Sequence, residues 1–256
     1  MQSVKIDLPK MDVAEIHTFA DLHIGDKFCN KKLIQERIEA VKGNNNAYVI
    51  LNGDIINNAT KTSVSDSYAE ELSPMEQMSA FTELFEPIKD KILCITSGNH
   101  ENRTYNKEGI DITRLCARQL GIEDRYSKTG IVLFVRFGKE TRSHRTATRY
   151  VIYCTHGSGG GRKEGAKAIR LADMASIVDA DIYIHSHTHL PMVLKEGFYR
   201  TDICNSTITK VDKLFVNTSA SLEYGGYGEA FEFKPSSTDT PVIYIDGRKK
   251  KQWATL

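Results

Sequence analysis

Long apolar runs, an excess of one charge and paired cysteines are all missing from this sequence. No apolar stretch approaches the roughly 20 residues that a membrane-spanning helix needs, so no membrane partner is expected. The first ten residues alternate apolar with polar side chains and lack the apolar centre of a signal peptide. The five cysteines are odd in number and include no C-x-x-C pair, which favours reduced thiols and a cytoplasmic location. A formal net charge of +1 neither demands nor excludes nucleic acid as a partner.

The remaining composition is typical of an ordinary folded domain. Hydrophobic residues occupy 40% of the 256 positions and charged residues 26%, which provides enough apolar side chains for a sizeable core. No internal repeat and no linker composition divides the sequence. We therefore expect a single domain over residues 1–256.

Strand and helix patterns alternate in the first half of the chain, as in an α/β fold. Apolar, β-branched runs predict strands over residues 13–20, 47–52 and 91–96. Apolar periodicity predicts helices over residues 31–42 and 110–120. A capping box formed by Ser73 and Glu76, with Pro74 between them, begins a further helix. Its expected apolar face comprises Met75, Met78, Phe81, Phe85 and Ile88.

The pattern changes near residue 130, where two strand-like segments predict a β-hairpin with a basic tip at residues 138–146. These segments cover residues 130–137 and 147–154. A basic helix is expected over residues 162–178. Beyond residue 190 we predict a D-G turn before a short last strand, and strands over residues 191–199, 203–208, 213–216 and 241–245.

Residues 181–189 read D-I-Y-I-H-S-H-T-H, a short buried strand that runs into three histidines at alternating positions. Every second side chain of an extended segment lies on the same face. Two of these imidazoles can therefore approach one point, which suits a metal ion. A histidine-rich surface turn or a core histidine would fit the same pattern, so the interpretation depends on further ligands elsewhere in the chain.

Four other predicted strands also end in residue types that bind metals. Together the five strand ends supply seven candidate ligands, which are Asp21, His23, Asp54, Asn99, His156, His187 and His189. Carboxylate, imidazole and amide donors suit Mn²⁺, Fe or Zn²⁺ rather than Ca²⁺. Seven ligands are too many for one four-coordinate ion. They suit two ions about 3.5–4 Å apart that share a carboxylate, an arrangement used in phosphoester hydrolysis.

The order D-x-H, G-D, G-N-H-E, H and H-x-H resembles the motif set of the calcineurin-like metallophosphoesterase family, over residues 21–189. The resemblance implies a sandwich of two mixed β-sheets flanked by helices, with the site at the carboxyl ends of the strands. It also implies a metal-dependent phosphoric ester hydrolase. The glycine-rich stretch at residues 157–161 is similar to an insertion in phage- and prophage-encoded members.

The resemblance further implies a role for each residue. One metal ion would be bound by Asp21, His23, Asp54 and His189. The second would be bound by Asp54, Asn99, His156 and His187, with Asp54 shared. A metal-bridging hydroxide would attack the phosphorus and His100 would protonate the leaving oxygen, so Asp54 and His100 are the expected catalytic residues. Manganese is the expected metal, with iron, zinc and nickel as alternatives.

Three neighbouring positions need separate interpretations. Ser186 replaces the glycine that usually precedes the last H-x-H, which predicts a slightly different turn or a less tight site. His185 stands where an apolar residue is usual, and we expect it to be packed in the fold or to support the ligands rather than to be a ligand itself. Glu101 follows the third motif and is expected to orient its neighbours or to cap a helix rather than to react.

Two interpretations stay open for the loop after His156. Arg162 and Lys163, with Lys167 and Arg170 further on, could bind a second phosphate or a nucleic-acid backbone. The same segment also reads as a flexible turn before a solvated basic helix face. The candidate substrate contacts are Asn99, His100, Arg162 and Lys163.

The motifs point to different substrates. D-L-H-I-G resembles the first motif of nucleases and related phosphodiesterases, whereas G-N-H-E-N-R resembles a motif of protein serine/threonine phosphatases. G-D-I-I-N-N lacks the phosphate-gripping arginine of those phosphatases, which favours a phosphodiester in a nucleotide or nucleic acid. The alternatives are a phosphomonoesterase and a non-catalytic scaffold with the same fold. A homo-oligomer and the role of residues 195–256 are left open.

Overall fold

Two six-stranded mixed β-sheets form the centre of the protein, as the resemblance implies. They are described by a computed structural model that covers residues 1–61, 63, 67–68, 70–138, 147–159, 161 and 163–256. Arg162 and residues 139–146 of the expected hairpin tip lie outside these ranges. No helix within them is long and apolar enough to cross a membrane.

The described residues form twelve strands and six α-helices. In chain order the strands are β1 (Gln2–Leu8), β2 (Val13–Phe19), β3 (Ala47–Asn52), β4 (Ile92–Thr96), β5 (Tyr126–Ser127), β6 (Ile131–Phe137), β7 (Arg149–Thr155), β8 (Ile182–His185), β9 (Met192–Asp202), β10 (Thr207–Asn217), β11 (Val242–Asp246) and β12 (Gln252–Thr255). The helices are α1 (Lys31–Gly43), α2 (Pro74–Phe85), α3 (Asn99–Glu108), α4 (Ile112–Gln119), α5 (Glu164–Asp173) and α6 (Gly226–Ala230).

The first sheet has the strand order β1-β6-β7-β8-β10-β9. Strands β6 and β7 pair antiparallel, which confirms the predicted hairpin, whereas β7, β8 and β10 run parallel. The second sheet has the order β12-β11-β2-β3-β4-β5. Its strands β2 to β5 run parallel, and β11 and β12 extend it antiparallel at one edge.

The main core lies between the two sheets. Ile16 and Ile50 of the second sheet share one buried cluster with Leu133 and Ile184 of the first. A strand covered on both faces reads as a continuous apolar run rather than an alternating one. All five residues of β4 are buried in this way, which explains why the central strands are the clearest in the sequence.

Helices cover the outer faces of both sheets. On the second sheet, α1, α2 and α4 pack through apolar side chains into a cluster that includes Leu51 of β3. The capping box of Ser73 and Glu76 begins α2 as predicted. The expected apolar face of this helix is wrong at Met75, which is 71% exposed. The buried stripe follows Gln77, Phe81 and Phe85, and Met75 lies off it.

The second half of the chain differs most from the predictions. Residues 203–208 and 213–216 were expected as separate strands, but residues 203–206 form a turn and β10 runs unbroken from Thr207 to Asn217. The outer half of this hairpin is held by the β9–β10 ladder and buries few side chains. Its apolar residues Ile203 and Ile208 are exposed and do not mark where the strand begins. Helix α5 is shorter than the expected residues 162–178. The sequence patterns did not predict β1, α3 or α6.

The candidate site lies where the parallel strands of both sheets end. Asn52, the last residue of β3 in the second sheet, links that strand to the ends of β7 and β8 in the first sheet. Its Nδ2 donates to the Thr155 carbonyl at 2.9 Å and to Oγ of Ser186 at 2.7 Å. Its Oδ1 accepts from Oγ1 of Thr96 at the end of β4. The loops after β2, β3, β4, β7 and β8 therefore start from one common border.

Candidate metal centre

Five of the seven predicted ligands stand in the left-handed region of backbone space. They are Asp21 (φ 50°), His23 (φ 48°), Asp54 (φ 49°), His187 (φ 67°) and His189 (φ 54°). Non-glycine residues adopt this conformation rarely and at a cost. Backbone strain of this kind concentrates at functional sites, where the surrounding structure enforces it.

Two glycines allow the strand ends to approach closely. At Gly98, an added Cβ would overlap the backbone nitrogen and the carboxylate of Asp54. At Gly53, φ is +81° and an added Cβ would lie 2.6 Å from Nδ1 of His156. The glycine of the G-N-H-E motif is therefore required by space, and the glycine of the G-D motif by space and by conformation.

The first group of donor atoms comprises Asp21, His23 and His189, and its ligand atoms lie within 4.8 Å of one another. Nε2 of His189 lies 3.1 Å from Oδ1 of Asp21, whose Oδ2 accepts from the backbone nitrogen of His187 at 3.1 Å. Asp21 is fully buried. Nε2 of His23 is also buried and has no hydrogen-bond partner among the described residues.

The second group comprises Asp54, His156 and His187, again within 4.8 Å. Nδ1 of His156 donates to the Asn52 carbonyl at 2.8 Å, which turns Nε2 toward the group. That Nε2 lies 3.1 Å from Oδ2 of Asp54 and 3.2 Å from Oδ1 of Asn99. Asp54 also forms a third group with His23 and His100, so its carboxylate lies between the other two groups.

The imidazoles differ in their protonation. Burial lowers the pKa of His23 well below its usual value and that of His187 to about 4, so both are neutral near pH 7. Burial also acts to lower the pKa of His156, but the carboxylates of Asp54 and Asp21 outweigh it and raise the pKa to about 10. Metal ligands must be deprotonated, so binding at His156 would displace a proton.

His100 lies beside the donor groups with both ring nitrogens engaged. Its Nδ1 donates to the Asn57 carbonyl at 2.6 Å, and its Nε2 accepts from Nη2 of Arg103 at 3.0 Å. The ring lies edge-on to His23, with centroids 4.3 Å apart, and Nε2 is 3.9 Å from Oδ2 of Asp54. Because both nitrogens have partners, His100 is better placed as a neighbour of the ligands than as one of them.

Glu101 connects three backbone segments beneath the site. Its Oε2 accepts from the nitrogens of Gly98 and Asp54, at 2.7 and 3.1 Å, and its Oε1 accepts from the nitrogen of Ile56 at 3.1 Å. Burial and repulsion from Asp54 raise the pKa of Glu101 to about 7, against the pull of these donors. The geometry is that of the orienting residue expected from the sequence.

Ser186 and His185 both have partners in the fold. Ser186 is fully buried, its backbone lies outside the left-handed region, and its Oγ accepts from Asn52. A glycine is therefore not required at this turn. His185 is buried, with Nδ1 2.9 Å from Oδ1 of Asn217, and its ring occupies the space that a Cβ at Gly157 would need. This is the packing role expected for His185.

The basic residues after His156 do not form a single open face. Lys167 donates to the Thr188 carbonyl at 2.8 Å, and Arg170 donates to the Ser158 carbonyl at 2.8 Å. Both therefore support loops that border the site. Lys163 is exposed just before α5, and Arg162 lies outside the described residues.

Sequence reasoning missed Asn52 and gave no role to Arg103, the last residue of the G-N-H-E-N-R motif. Asn52 is the last residue of a predicted strand, where a buried amide has no distinctive pattern. Arg103 follows His100 by three residues, and on a helix that spacing makes the two side chains neighbours. A helical interpretation of α3 would have placed Arg103 in the site.

The donor set fits divalent metal ions. Imidazole nitrogens and carboxylate oxygens converge in two adjacent groups, with a suitably placed amide oxygen from Asn99. A buried polar atom without a partner costs about 1–3 kcal/mol. A bound cation would supply the partner that Nε2 of His23 lacks within the described residues.

The match to a family model agrees with this chemistry. The family model for calcineurin-like phosphoesterases matches residues 15–191. No curated protein matches the chain.

Among solved structures, a predicted phosphoesterase from Streptococcus pneumoniae is 15% identical, with 96% of this chain and 99% of that chain covered and a TM-score of 0.38. The nuclease MPE of Pseudomonas putida is 12% identical over 94% and 87% of the two chains, with a TM-score of 0.36. A metallophosphoesterase from Sphaerobacter thermophilus is 11% identical over 91% and 83%, with a TM-score of 0.41.

Proposed function

Because the chain belongs to the calcineurin-like phosphoesterase family, it is a metal-dependent phosphoric ester hydrolase, and we propose that it uses two divalent ions to hydrolyse a phosphodiester. One observation carries the proposal. Two groups of three donors lie side by side at the ends of neighbouring strands, with the carboxylate of Asp54 between them. Two ions bound at such adjacent sites would stabilise both the attacking and the leaving oxygen of a phosphoester displacement.

The proposed ligand sets follow the two groups. The first ion would be held by Asp21, His23, Asp54 and His189, and the second by Asp54, Asn99, His156 and His187. Two ions bound here would offset the charge of the phosphate and activate a water for in-line attack. The mixed carboxylate and imidazole donors support manganese as the metal, with iron, zinc or nickel as alternatives.

His100 is the proposed acid for the leaving oxygen. The Asn57 carbonyl holds the proton of Nδ1, which fixes the ring so that Nε2 lies toward Asp54. In the observed contact Nε2 accepts from Arg103, so His100 can act as the acid only after Nε2 takes up a proton and that contact opens. Burial lowers the pKa of His100, so the protonated ring then gives the proton up readily. Asn99, at the start of the same helix, and the exposed Lys163 are the other proposed substrate contacts.

The lack of a cation directly after Asp54 supports a diester over a monoester. Asn57 and Asn58 follow Asp54 in the chain, and both side chains support the loop. Nδ2 of Asn57 donates to Asp26 at 3.2 Å, and Nδ2 of Asn58 donates to the His100 carbonyl at 2.7 Å. A diester carries one negative charge near neutral pH and needs fewer cations than a doubly charged monoester. A nucleotide or nucleic acid is the proposed source of that diester.

Two further proposals concern the whole chain. All five cysteines are free thiols, which supports a cytoplasmic location. Residues beyond the matched region extend both sheets, since β9 and β10 join the first sheet and β11 and β12 join the second. This supports one domain over residues 1–256.

A substrate panel tests the proposed function. Bis-p-nitrophenyl phosphate, p-nitrophenyl phosphate, cyclic nucleotides and single- and double-stranded DNA would each be assayed with Mn²⁺. We expect the diester to be hydrolysed faster than the monoester, by the wild type and by the control Asp90→Asn, which changes an exposed carboxylate. Asp54→Asn should show no turnover. Faster hydrolysis of p-nitrophenyl phosphate would favour the phosphomonoesterase suggested by G-N-H-E-N-R, and no turnover by a metal-loaded wild type would favour a scaffold.

A further inference from the structure

Arg103 places a guanidinium at the border of the candidate metal centre. It lies on α3, one turn after His100, and its side chain is half-buried. Nη2 donates to Nε2 of His100 at 3.0 Å, and Nη1 donates to the Asn57 carbonyl at 3.3 Å. A guanidinium has five N–H donors, so most of them remain available for another acceptor.

Arg103 has carboxylates nearby but no direct ion pair, because Asp54, Glu101 and Glu70 act on it from beyond contact distance. In the described part of the chain no carboxylate lies within ion-pair distance of its guanidinium, and both of its contacts are to neutral acceptors. Burial lowers the pKa of Arg103 in spite of these carboxylates, so the half-buried cation is only partly compensated for its lost hydration. The nearest reacting group is His100, whose Nε2 lies 3.9 Å from the carboxylate of Asp54. An anion that enters the site beside Asp54 would therefore meet Arg103.

We infer that Arg103 is a substrate-binding residue that donates to a non-bridging oxygen of the scissile phosphate, on the side of His100. The planar guanidinium can hold His100 with one nitrogen and present the remaining N–H groups to phosphate. Helix α3, which begins in the third motif, supplies this cation. The second motif has no cationic residue directly after Asp54. A single guanidinium suits the single charge of a diester. The inference rests on the proposed function, because it names a substrate contact in the same site.

A purely structural role is the competing explanation. In that case Arg103 would only fix the His100 ring and the Asn57 carbonyl, and its loss would disturb the metal ligands. Arg103→Gln separates the two roles, because the amide can still donate to one of those neutral acceptors but carries no charge. Arg103→Lys keeps the charge and loses the planar fork. Lys107→Ala removes an exposed cation from the same helix and serves as the control.

The experiment measures the binding of inorganic phosphate to Mn²⁺-loaded protein by calorimetry, with metal content and thermal midpoint determined for each variant. We expect Arg103→Gln to retain its metal and its midpoint and to bind phosphate about tenfold or more weakly, as the loss of a charge-assisted contact implies. Arg103→Lys should be intermediate and Lys107→Ala unchanged. In steady-state assays with bis-p-nitrophenyl phosphate, Arg103→Gln should raise KM more than it lowers kcat.

Phosphate affinity within twofold of the wild type in metal-loaded Arg103→Gln would overturn the inference. A variant that loses metal or unfolds, with Arg103→Lys binding phosphate no better, would also overturn it in favour of the structural role. Phosphate binding is measured without turnover, so its outcome is separate from that of the substrate panel. A protein that hydrolyses nothing but binds phosphate through Arg103 would contradict only the proposed function.

Discussion

The two sheets contribute different chemistry to the candidate metal centre. The second sheet supplies both carboxylates, Asp21 and Asp54, which are 0% and 1% exposed. The first sheet supplies only imidazoles, and the side chain of His189 is 33% exposed. The negative charge that attracts metal ions is therefore placed where no water competes for it. The accessible side is formed by ligands that are neutral when they bind.

The two halves are also held differently. Backbone nitrogens fix the carboxylate half, because His100 donates to Oδ1 of Asp54 at 2.9 Å and His187 donates to Oδ2 of Asp21 at 3.1 Å. In the imidazole half it is the turn that is held, by the Ser186 nitrogen, which donates to the His156 carbonyl at 3.1 Å, and by the side chains of Lys167 and Asn52. We therefore expect substitutions in the carboxylate half to have the larger effects.

The largest effect is expected for Asp54→Asn, because Asp54 lies between both donor groups. The loss of metal-based charge stabilisation is worth several kcal/mol, which corresponds to about a thousandfold or more in rate. His189→Asn should instead remove one ion and leave the other. Metal analysis and bis-p-nitrophenyl phosphate assays of the two variants would check this. Equal metal contents in Asp54→Asn and His189→Asn would show that the carboxylate half and the imidazole half contribute equally to metal binding.

A second large effect is expected for Glu101→Gln. The amide of glutamine would point N–H groups at backbone nitrogens that now donate to the carboxylate, so stability should fall by about 3 kcal/mol. Metal affinity should fall about 10- to 100-fold, as for other residues that orient ligands. Denaturant unfolding and Mn²⁺ titration measure both quantities. The exposed Glu108→Gln on the same helix is the control, and a Glu101 variant that matches it would refute the orienting role.

The contact between the halves predicts a pH dependence. His156 of the first sheet has a pKa of about 10 in the folded chain, above its usual 6.5, because of Asp54 and Asp21 in the second. This pairing stabilises the metal-free protein fully below about pH 6.5, and the stabilisation is lost as the pH rises through about 10. We expect the thermal midpoint in chelator to fall more over that range for the wild type than for His156→Asn. If the thermal midpoints of the wild type and of His156→Asn fall equally with pH, His156 is not paired with Asp54 and Asp21.

The smallest effect is expected for Ser186→Ala, in the imidazole half. The substitution removes one of the two acceptors of the Asn52 amide, which keeps its bond to the Thr155 carbonyl. Stability should fall by about 1 kcal/mol, with little change in turnover. Denaturant unfolding against the exposed control Ser176→Ala measures the difference. A large loss of metal in Ser186→Ala would contradict this, because it would show that metal binding depends on the Ser186 hydroxyl.

The sequence predicts the strands that carry the site better than the elements around them. β3 matches its predicted residues 47–52, because a buried parallel strand is a continuous apolar run with polar residues at its end. Helix α3 could not be predicted by periodicity, because Glu101 is its one buried residue and its other side chains are mostly polar. The same limit hid Arg103, since its relation to His100 depends on that helix.

The other features that the sequence did not predict depend on contacts between residues far apart in the chain. The Asn52 side chain meets Ser186 only because β3 and β8 end at one border, and His185 meets Asn217 only because β10 pairs with β8. Neither contact has a local sequence signal. The outer half of the β9–β10 hairpin is similar, because its strand conformation comes from the ladder and not from buried side chains.

The number of metal ions per chain tests the central claim most directly. Purified protein would be chelated, titrated with Mn²⁺ by calorimetry and analysed for bound metal, alongside Asp54→Asn. The two donor groups predict two ions per chain in the wild type and loss of both high-affinity sites in the variant. A wild type that binds at most one ion under saturating Mn²⁺ would contradict the two-ion site.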